Sequence, residues 1–294
     1  MKPGPFEYTA PATVDEVVSL LGEHGDEAKV IAGGQSLVPM LSMRLARPAQ
    51  IVDVNRVDGL AGITDGGDHL AFGATTRERD AERSTLVARR LPVMAEALPL
   101  IGHVSIRNRG TIGGSIAHAD ASAELPAVAM VTDGWIVARG PGGEREITAD
   151  DFFVSHFTTS LADDECVLSV RVPTGPVGAG WAFQEVSRRH GDFALVGVAA
   201  MVATDGGGTI RDARVCMIGV GERPARARDV ERSLVGQDAS RDTFAAAAAD
   251  AVRDLDPGSD MHGSSEYRRH LAGVVVRRAL GTAAARSAAS GAST

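Results

Sequence analysis

The chain has 294 residues, of which 44% are hydrophobic and 4% aromatic, and its formal net charge is −8. This length is sufficient for two or three compact units, and the acidic balance argues against a nucleic-acid partner, whose phosphates it would repel. The two cysteines, Cys166 and Cys216, are too few for an iron–sulfur cluster or a disulfide framework, so any cluster must lie on another polypeptide. Because there is no apolar signal core and no run of about eighteen apolar residues, we expect no transmembrane segment and a cytoplasmic protein.

Residues 1–54 predict a small βαβ-like unit built around a glycine loop. Thr13 and Glu16 have the spacing of a capping box, which predicts a helix running to about residue 23 and ending at Gly25. The β-prone runs at 28–31 and 50–54 flank the loop Ala32-Gly33-Gly34-Gln35-Ser36, and helical spacing follows it through residue 45. Adjacent glycines allow positive φ angles and close approach to backbone amides, so this loop is a candidate anion-binding turn.

Residues 55–175 predict a second unit, which mixes sheet with helix and contains another glycine loop. Strands are expected at 70–74, 135–139, 145–148 and 166–172, and helices after a Thr76 cap, at 92–101 and at 125–131. In the loop 111–115, Gly113 and Gly114 are again followed by a serine, Ser115. One glycine pair is most often only a turn, but two with matching chemistry suggest opposite walls of one phosphate site.

The stretch 173–180, rich in proline and glycine, predicts a linker to a third, α+β unit over residues 178–281. Strands are expected at 181–186, 194–203 and 215–219, and helices at 225–234, 241–254 and 265–280. Residues 282–294 are alanine, serine and glycine with few exceptions and offer little to bury, which predicts a disordered tail.

The two glycine loops resemble the paired flavin-binding loops in the FAD subunit of the molybdenum hydroxylases. That family includes carbon monoxide dehydrogenase, xanthine dehydrogenase and bacterial dehydrogenases of nicotine-like and purine-like heterocycles. The resemblance continues through residues 191–199 and 265–271, so it covers nearly the whole chain. It implies an α+β fold with a two-lobed FAD-binding domain of the PCMH or vanillyl-alcohol-oxidase-like type, followed by a smaller α+β C-terminal domain of the carbon monoxide dehydrogenase flavoprotein type.

The same resemblance implies that FAD lies in the crevice between the lobes. It assigns cofactor contacts to Ala32, Gly33, Gly34, Gln35, Ser36, Leu37, Ile101, Thr111, Gly113, Gly114, Ser115, Glu124, Leu161, Asp192 and Phe193. A chain with a net charge of −8 must hold a pyrophosphate by oriented dipoles and donors, and we expect backbone amides of both loops to supply them. A phenylalanine before a small-residue strand is typically core, whereas the resemblance puts Phe193 beside the isoalloxazine ring.

No catalytic side chain and no metal site are expected on this chain. His118 and Asp120 stand at i and i+2 without a third ligand, and none of the histidines has companions that suggest a triad. The flavin itself would supply the redox chemistry.

The leading hypothesis is the medium, FAD-binding subunit of a three-component molybdenum hydroxylase. The resemblance implies a large subunit with molybdopterin and a small subunit with [2Fe–2S] clusters, assembled as a dimer of heterotrimers. Arginines on the last helix, at 268, 269, 277 and 278, are either a solvated face or a subunit contact. The alternatives are a stand-alone FAD-dependent reductase or oxidase and a nucleotide-binding scaffold without redox turnover. Replacing Gly34 or Gly114 with valine should abolish FAD retention.

Overall fold

The N-terminal lobe is a three-stranded parallel sheet with helices at its edges. The computed structural model describes residues 2–291. This lobe contains β1 (Glu7–Thr9), α1 (Val14–His24), β2 (Ala28–Ile31), α2 (Leu37–Ser42) and β3 (Gln50–Asp53), with 3-10 turns at Gly25–Glu27 and Val54–Arg56. The strand order is β1-β3-β2 with all strands parallel, so the carboxyl ends of β2 and β3 meet at one edge. The first glycine loop begins at that edge.

The capping box predicted for α1 is confirmed. The Thr13 hydroxyl accepts from the Glu16 amide at 3.2 Å, and the Glu16 carboxylate accepts from the Thr13 amide at 3.2 Å. Gly25 ends the helix with φ of 53°, as predicted. Val17 and Leu21 are buried in the same core as Ala28 of β2, so α1 fixes the sheet from which the loop departs.

The second lobe is built on a five-stranded antiparallel sheet. The lobe as a whole contains seven strands, of which β8 and β9 lie outside this sheet. They are β4 (Ile63–Asp65), β5 (His69–Gly73), β6 (Trp135–Gly140), β7 (Gly143–Thr148), β8 (Phe153–Ser155), β9 (Thr158–Thr159) and β10 (Cys166–Pro173). Its helices are α3 (Glu78–Arg83), α4 (Thr85–Arg90), α5 (Pro92–Ala97), α6 (Val104–Arg107), α7 (Ile112–His118), α8 (Glu124–Val131) and α9 (Ala149–Phe152), with a 3-10 turn at Leu98–Leu100. The sheet order is β4-β5-β10-β6-β7, and β8 pairs with β9. Every residue of α8 is buried, which confirms the predicted buried helix.

The predicted Thr76 cap is wrong. Helix α3 follows Arg77, which makes no side-chain cap, and the Thr76 hydroxyl instead donates to the Gly62 carbonyl at 2.8 Å. The Thr76 carbonyl accepts from the Ile112 amide at 2.9 Å. This segment is therefore held by pairing with the second glycine loop rather than by starting a helix.

The third unit is a four-stranded antiparallel sheet covered by a long helix. It contains β11 (Gly180–Val186), β12 (Val196–Thr204), β13 (Ile210–Ile218), β14 (Ala225–Arg226), α10 (Arg228–Leu234), α11 (Arg241–Ala251) and α12 (Ser265–Gly291). Alternation along the strands gives the sheet two apolar faces. Ala182 and Val198 pack with α12, whereas Trp181 and Phe183 join the core of the second lobe. One hydrophobic core therefore spans the predicted linker.

The predicted disorder of residues 282–294 is wrong for residues 282–291, which continue α12. Ala283 and Ser287 are buried, and the Ser287 hydroxyl accepts from the Thr204 amide at 3.0 Å. A Cβ on Gly180 would lie 1.9 Å from the Ala283 carbonyl oxygen, so the helix rests on bare backbone. Small residues here permit close packing and do not indicate a lack of structure. Residues 292–294 lie outside the described part of the chain.

Arg268 does not belong to a solvated face, because it is buried. Its guanidinium donates to the Leu195 carbonyl at 2.7 Å and pairs with Asp260 at 2.7 Å. It thereby anchors α12 to the end of the loop between β11 and β12. Within residues 2–291, no helix is both long enough and apolar enough to cross a bilayer.

Candidate functional site

The first glycine loop is in direct contact with residues 109 and 110, which lead into the second loop. A Cβ on Gly33 would lie 2.4 Å from the Arg109 carbonyl oxygen and 2.8 Å from the Cα of Gly110. Contacts this short between a side chain and backbone do not occur, so only glycine permits this approach. The structure thus joins loops that are almost eighty residues apart in sequence.

A polar bridge connects the loops beside this contact. Arg77 donates to the Arg109 carbonyl at 2.5 Å and to the Asn55 side-chain oxygen at 2.7 Å, and Asn55 donates to the Ala32 carbonyl at 2.8 Å. A cavity of about 350 Å³ adjoins the bridge and is lined by Asn55, Ala61, Gly62, Ile63, Thr75, Thr76, Arg77 and Asp80. The sequence reasoning missed both Asn55 and Arg77. The available signal for Asn55 was its position just after β3, at the carboxyl end of a parallel strand.

The first loop presents a row of free donors. The backbone amides of residues 33–37 donate to no acceptor within the described chain, residues 2–291. Gly34 adopts φ of 71°, and the Gln35 side chain folds back to donate to the Gly33 carbonyl at 3.0 Å. Successive amides around a left-handed residue form a concave nest that binds anions. This loop therefore suits a phosphate group.

The second loop is different, because its amides are already in use. Those of Ile112 and Gly113 donate to the carbonyls of Thr76 and Ala74 at 2.9 and 3.0 Å. Those of Gly114 and Ser115 donate to the hydroxyl and the carbonyl of Thr111 at 3.1 and 3.0 Å. The expectation that both loops offer free amides is therefore wrong for residues 112–115. The loop forms a rigid wall, and the half-buried Ser115 hydroxyl has no hydrogen-bond partner among residues 2–291.

Gly113 is required for that rigidity. A Cβ at this position would lie 2.6 Å from the Cα of Ala74, just after β5. The Thr111 hydroxyl caps α7, and the Gly113 backbone packs against the end of the β5 segment. The wall is thus fixed to the sheet of the second lobe.

Three carboxyl groups lie near the second loop and interact electrostatically. Glu78 begins α3 and Glu124 begins α8, and each is 4% exposed; Glu185, on β11, is partly buried. The Oε2 atoms of Glu78 and Glu185 have no hydrogen-bond partner within residues 2–291. A Cβ on Gly110 would lie 2.4 Å from Oε2 of Glu78, which places this carboxyl at the second loop. The sequence reasoning named Glu124 but missed Glu78 and Glu185, whose burial depends on distant elements.

Burial shifts the pKa of each of these carboxyl groups upward. It raises the pKa of Glu78 to about 8, against a smaller opposing effect of the Arg107 charge. Burial, followed by the charge of Glu185, raises the pKa of Glu124 to about 8. Burial alone raises the pKa of Glu185 to about 7. Near neutral pH the group is therefore substantially protonated.

The turn 118–124, predicted to pack on the cofactor, makes several ring contacts and hydrogen bonds within the chain. The His118 ring lies 4.8 Å from the Phe157 ring, and burial lowers the pKa of His118. Asp120 accepts from the Ser122 amide at 2.8 Å. The Ala121 carbonyl accepts from the Gly219 amide at 3.0 Å, so the third unit also holds this turn.

The remaining predicted positions lie outside the glycine loops, two of them in the second lobe and two in the third unit. Ile101 and Leu161 are partly buried against the core of that lobe. Asp192 pairs with Arg188 at 3.3 Å in the loop between β11 and β12. Phe193 is 59% exposed, so its interpretation as a core residue is wrong and its ring is available to a ligand.

The loop that carries Phe193 lies next to Ile101. A Cβ on Gly191 would lie 2.8 Å from the His103 ring and 3.0 Å from the carbonyl carbon of Gly102. The loop between β11 and β12 therefore packs against the segment that follows Ile101. This contact brings Phe193 and Ile101 to the same side of the molecule.

Comparison with known proteins covers nearly the whole chain. Residues 4–175 match the family model of the FAD binding domain in molybdopterin dehydrogenase, and residues 181–283 match that of the CO dehydrogenase flavoprotein C-terminal domain. The chain is 44% identical to the 6-hydroxypseudooxynicotine dehydrogenase complex subunit alpha of Paenarthrobacter nicotinovorans, with 96% of each chain covered.

Two solved structures have the same fold. A carbon monoxide dehydrogenase from Hydrogenophaga pseudoflava superposes with a TM-score of 0.94 at 40% identity, covering 97% of this chain and 99% of that one. Quinoline 2-oxidoreductase from Pseudomonas putida 86 superposes with a TM-score of 0.93 at 36% identity, covering 98% and 100%.

Proposed function

Because this chain belongs to the FAD-binding medium subunits of the molybdenum hydroxylase family, we propose that its two glycine loops hold FAD in the cleft between two lobes. The lobes comprise residues 1–54 and 55–175, and residues 178–281 form the C-terminal domain. The protein is an oxidoreductase subunit, and FAD held in this cleft would supply the electron transfer between iron–sulfur clusters on a partner subunit and an external acceptor.

The free amides of residues 33–37 carry this proposal. A pyrophosphate with about two negative charges needs donors that are fixed before it arrives, and the nest around Gly34 supplies them without a cation. The surface is not otherwise attractive to an anion, because the chain has a net charge of −8. The local dipoles of the first loop must therefore outweigh the overall charge.

The other assigned residues complete the cleft in this proposal. Thr111 and the glycines of the second loop form the wall opposite the nest, and Ser115 adds a hydroxyl donor. Glu124, which burial keeps largely protonated near neutral pH, exchanges hydrogen bonds with FAD hydroxyl groups. Ile101 and Leu161 exclude water, and the exposed Phe193 ring covers the isoalloxazine.

The subunit works in an assembly. Relatives that match nearly its full length carry the names complex subunit and medium chain, which are names of components of larger proteins. The partners in the proposed complex are a large molybdopterin subunit and a small subunit with [2Fe–2S] clusters, in a dimer of heterotrimers. The proposal keeps the cytoplasm as its location, because Cys166 and Cys216 are both free thiols.

Copurification with the partner subunits tests the proposal. We expect a yellow-brown complex with one FAD per copy of this chain, whose flavin absorbance bleaches only when the partners and a substrate are present. Light scattering should give the mass of two heterotrimers. A chain that carries no flavin in the assembled complex would exclude the proposed site, and bleaching of the isolated chain by a substrate would favour a stand-alone reductase.

A further inference from the structure

Two buried carboxyl groups near the second glycine loop, Glu78 and Glu124, interact electrostatically, and Glu78 was not predicted from the sequence. The Glu78 side chain is 4% exposed, and its Oε2 atom has no hydrogen-bond partner among residues 2–291. The charge of Glu78 contributes to the raised pKa of Glu124, so the two groups interact. A buried carboxyl without a partner is costly and therefore calls for a group that completes its hydrogen bonding.

The groups around this pair do not neutralise it. Arg107 is the cation that faces Glu78, but its guanidinium is held by two bonds to Glu82, at 2.8 and 3.1 Å, and by two carbonyl oxygens. Glu124 faces Glu185 and Asp120, which are both acidic. Bringing an anionic cofactor to ionised carboxylates here would be unfavourable.

We propose that Glu78 is a further FAD-binding residue, and that it and Glu124 enter the complex as neutral carboxylic acids that donate hydrogen bonds to oxygen atoms of FAD. This inference rests on the proposed function, because it takes the cleft to be the FAD site. Ionisation of either carboxyl removes a donor and adds a repulsive charge. FAD binding is therefore linked to protonation.

The pKa values of the FAD-free protein determine whether FAD affinity rises or falls with pH. The pKa values of Glu78 and Glu124 are about 8 without FAD, and a complex that requires the acids raises them further. Below about pH 7 both groups are already protonated and the dissociation constant is independent of pH. Above about pH 8 binding takes up protons, and the constant rises by up to tenfold per pH unit for each proton.

The experiment uses the complex copurified with its partner subunits and stripped of FAD. Quenching of FAD fluorescence gives the dissociation constant from pH 6.5 to 9. Calorimetry at pH 9 in two buffers of different ionisation enthalpy gives the number of protons taken up. Because both groups have a pKa of about 8 in the free state and both are neutral in the proposed complex, we expect nearly two protons per FAD in the wild type. We expect about one proton, with a shallower pH dependence, in Glu78→Gln and in Glu124→Gln. The exposed Glu144→Gln serves as the matched control and should follow the wild type.

No proton uptake by the wild type at pH 9 would overturn the inference, and this measurement needs no variant. If the FAD dissociation constant of Glu78→Gln depended on pH as steeply as that of the wild type, with an unchanged circular dichroism spectrum, Glu78 would be excluded. This result would also overturn the inference. Failure of the wild-type complex to bind FAD at any pH would contradict the proposed function as well. Normal binding without proton linkage would leave the proposed function intact, so the two failures are distinguishable.

Discussion

The two glycine loops have similar sequences and opposite hydrogen-bonding states. In the first, the amides of residues 33–37 are free within the described chain and Gly34 has a φ of 71°. In the second, the amides of residues 112–115 are all taken by nearby acceptors, and the glycines permit close packing against Ala74. A glycine pair therefore does not by itself define an anion site. What matters is whether the surrounding backbone has already used its donors.

The largest expected effect comes from separating the loops. Gly33→Ala places a methyl group where it would lie 2.4 Å from the Arg109 carbonyl oxygen, so one loop must move. We expect FAD affinity of the assembled complex to fall by about 100-fold. Gly22→Ala adds the same methyl group in open space on α1 and should leave affinity unchanged. Equal affinities for the two variants in a fluorescence titration would show that contact between the loops is unimportant.

The next effect distinguishes the first loop, whose backbone amides are free, from the second, whose backbone amides are already hydrogen-bonded. Gly34→Ala forces an alanine to a φ of 71°, at a cost of about 1 to 2 kcal/mol, and distorts the nest, so we expect about tenfold weaker FAD binding. Gly114→Ala puts a Cβ 2.6 Å from the Thr111 hydroxyl and weakens the cap of α7. Because the Gly114 amide is already used, affinity should fall only about threefold, while stability falls by about 1 kcal/mol. Thermal melts and FAD titrations of both variants test this, and the reverse order of affinities would contradict the comparison.

A third effect is on stability and not on affinity: it concerns the acids near the second loop and appears in the FAD-free chain. Because burial raises the pKa of Glu78 from 4.5 to about 8, the folded chain keeps a proton that the unfolded chain has lost. The resulting stability is fully present below about pH 4.5 and is lost as pH rises to about 8, at up to about 1.4 kcal/mol per pH unit. Denaturant melts of the wild type and of Glu78→Gln, subtracted at each pH, isolate this contribution. A wild type that gains stability relative to Glu78→Gln as pH rises would refute the raised pKa.

The smallest effect tests whether the second loop supports the first through the polar bridge. Asn55→Ala removes the hydrogen bond to the Ala32 carbonyl and the partner of Arg77. FAD affinity should therefore fall about threefold, as expected for a net hydrogen bond of about 0.7 kcal/mol. Asn108→Ala, at an exposed position, is the matched control. Identical stopped-flow dissociation rates of FAD from the two variants would show that the bridge has no such role.

Features set by nearby residues could be read from the sequence. The capping box of α1 involves Thr13 and Glu16 alone, and the predicted strand at residues 28–31 coincides with β2. The family, and with it the cofactor, followed from the glycine loops and their resemblance. The fully buried α8 was also evident, because its apolar run is uninterrupted.

Features set by distant contacts could not be read in this way. The state of the amides in residues 112–115 depends on carbonyls of Ala74 and Thr76, and the burial of Glu78 depends on packing between several helices. The small residues of the chain end suggested disorder because composition does not reveal that Gly180 leaves room for them. Neither the apolar pattern around Phe193 nor the burial usual for phenylalanine predicted that its ring is exposed.

Because the sheet of the C-terminal domain has two apolar faces, the N-terminal part of the chain cannot be produced separately from it. Trp181 and Phe183 lie in the same core as the second lobe, and the Phe183 amide donates to Glu96 at 2.9 Å. A fragment ending near residue 175 would therefore be left with an uncovered apolar side and would aggregate, although a family boundary falls there. We expect the two parts to unfold in a single thermal transition, as one cooperative unit, although they match two different family models.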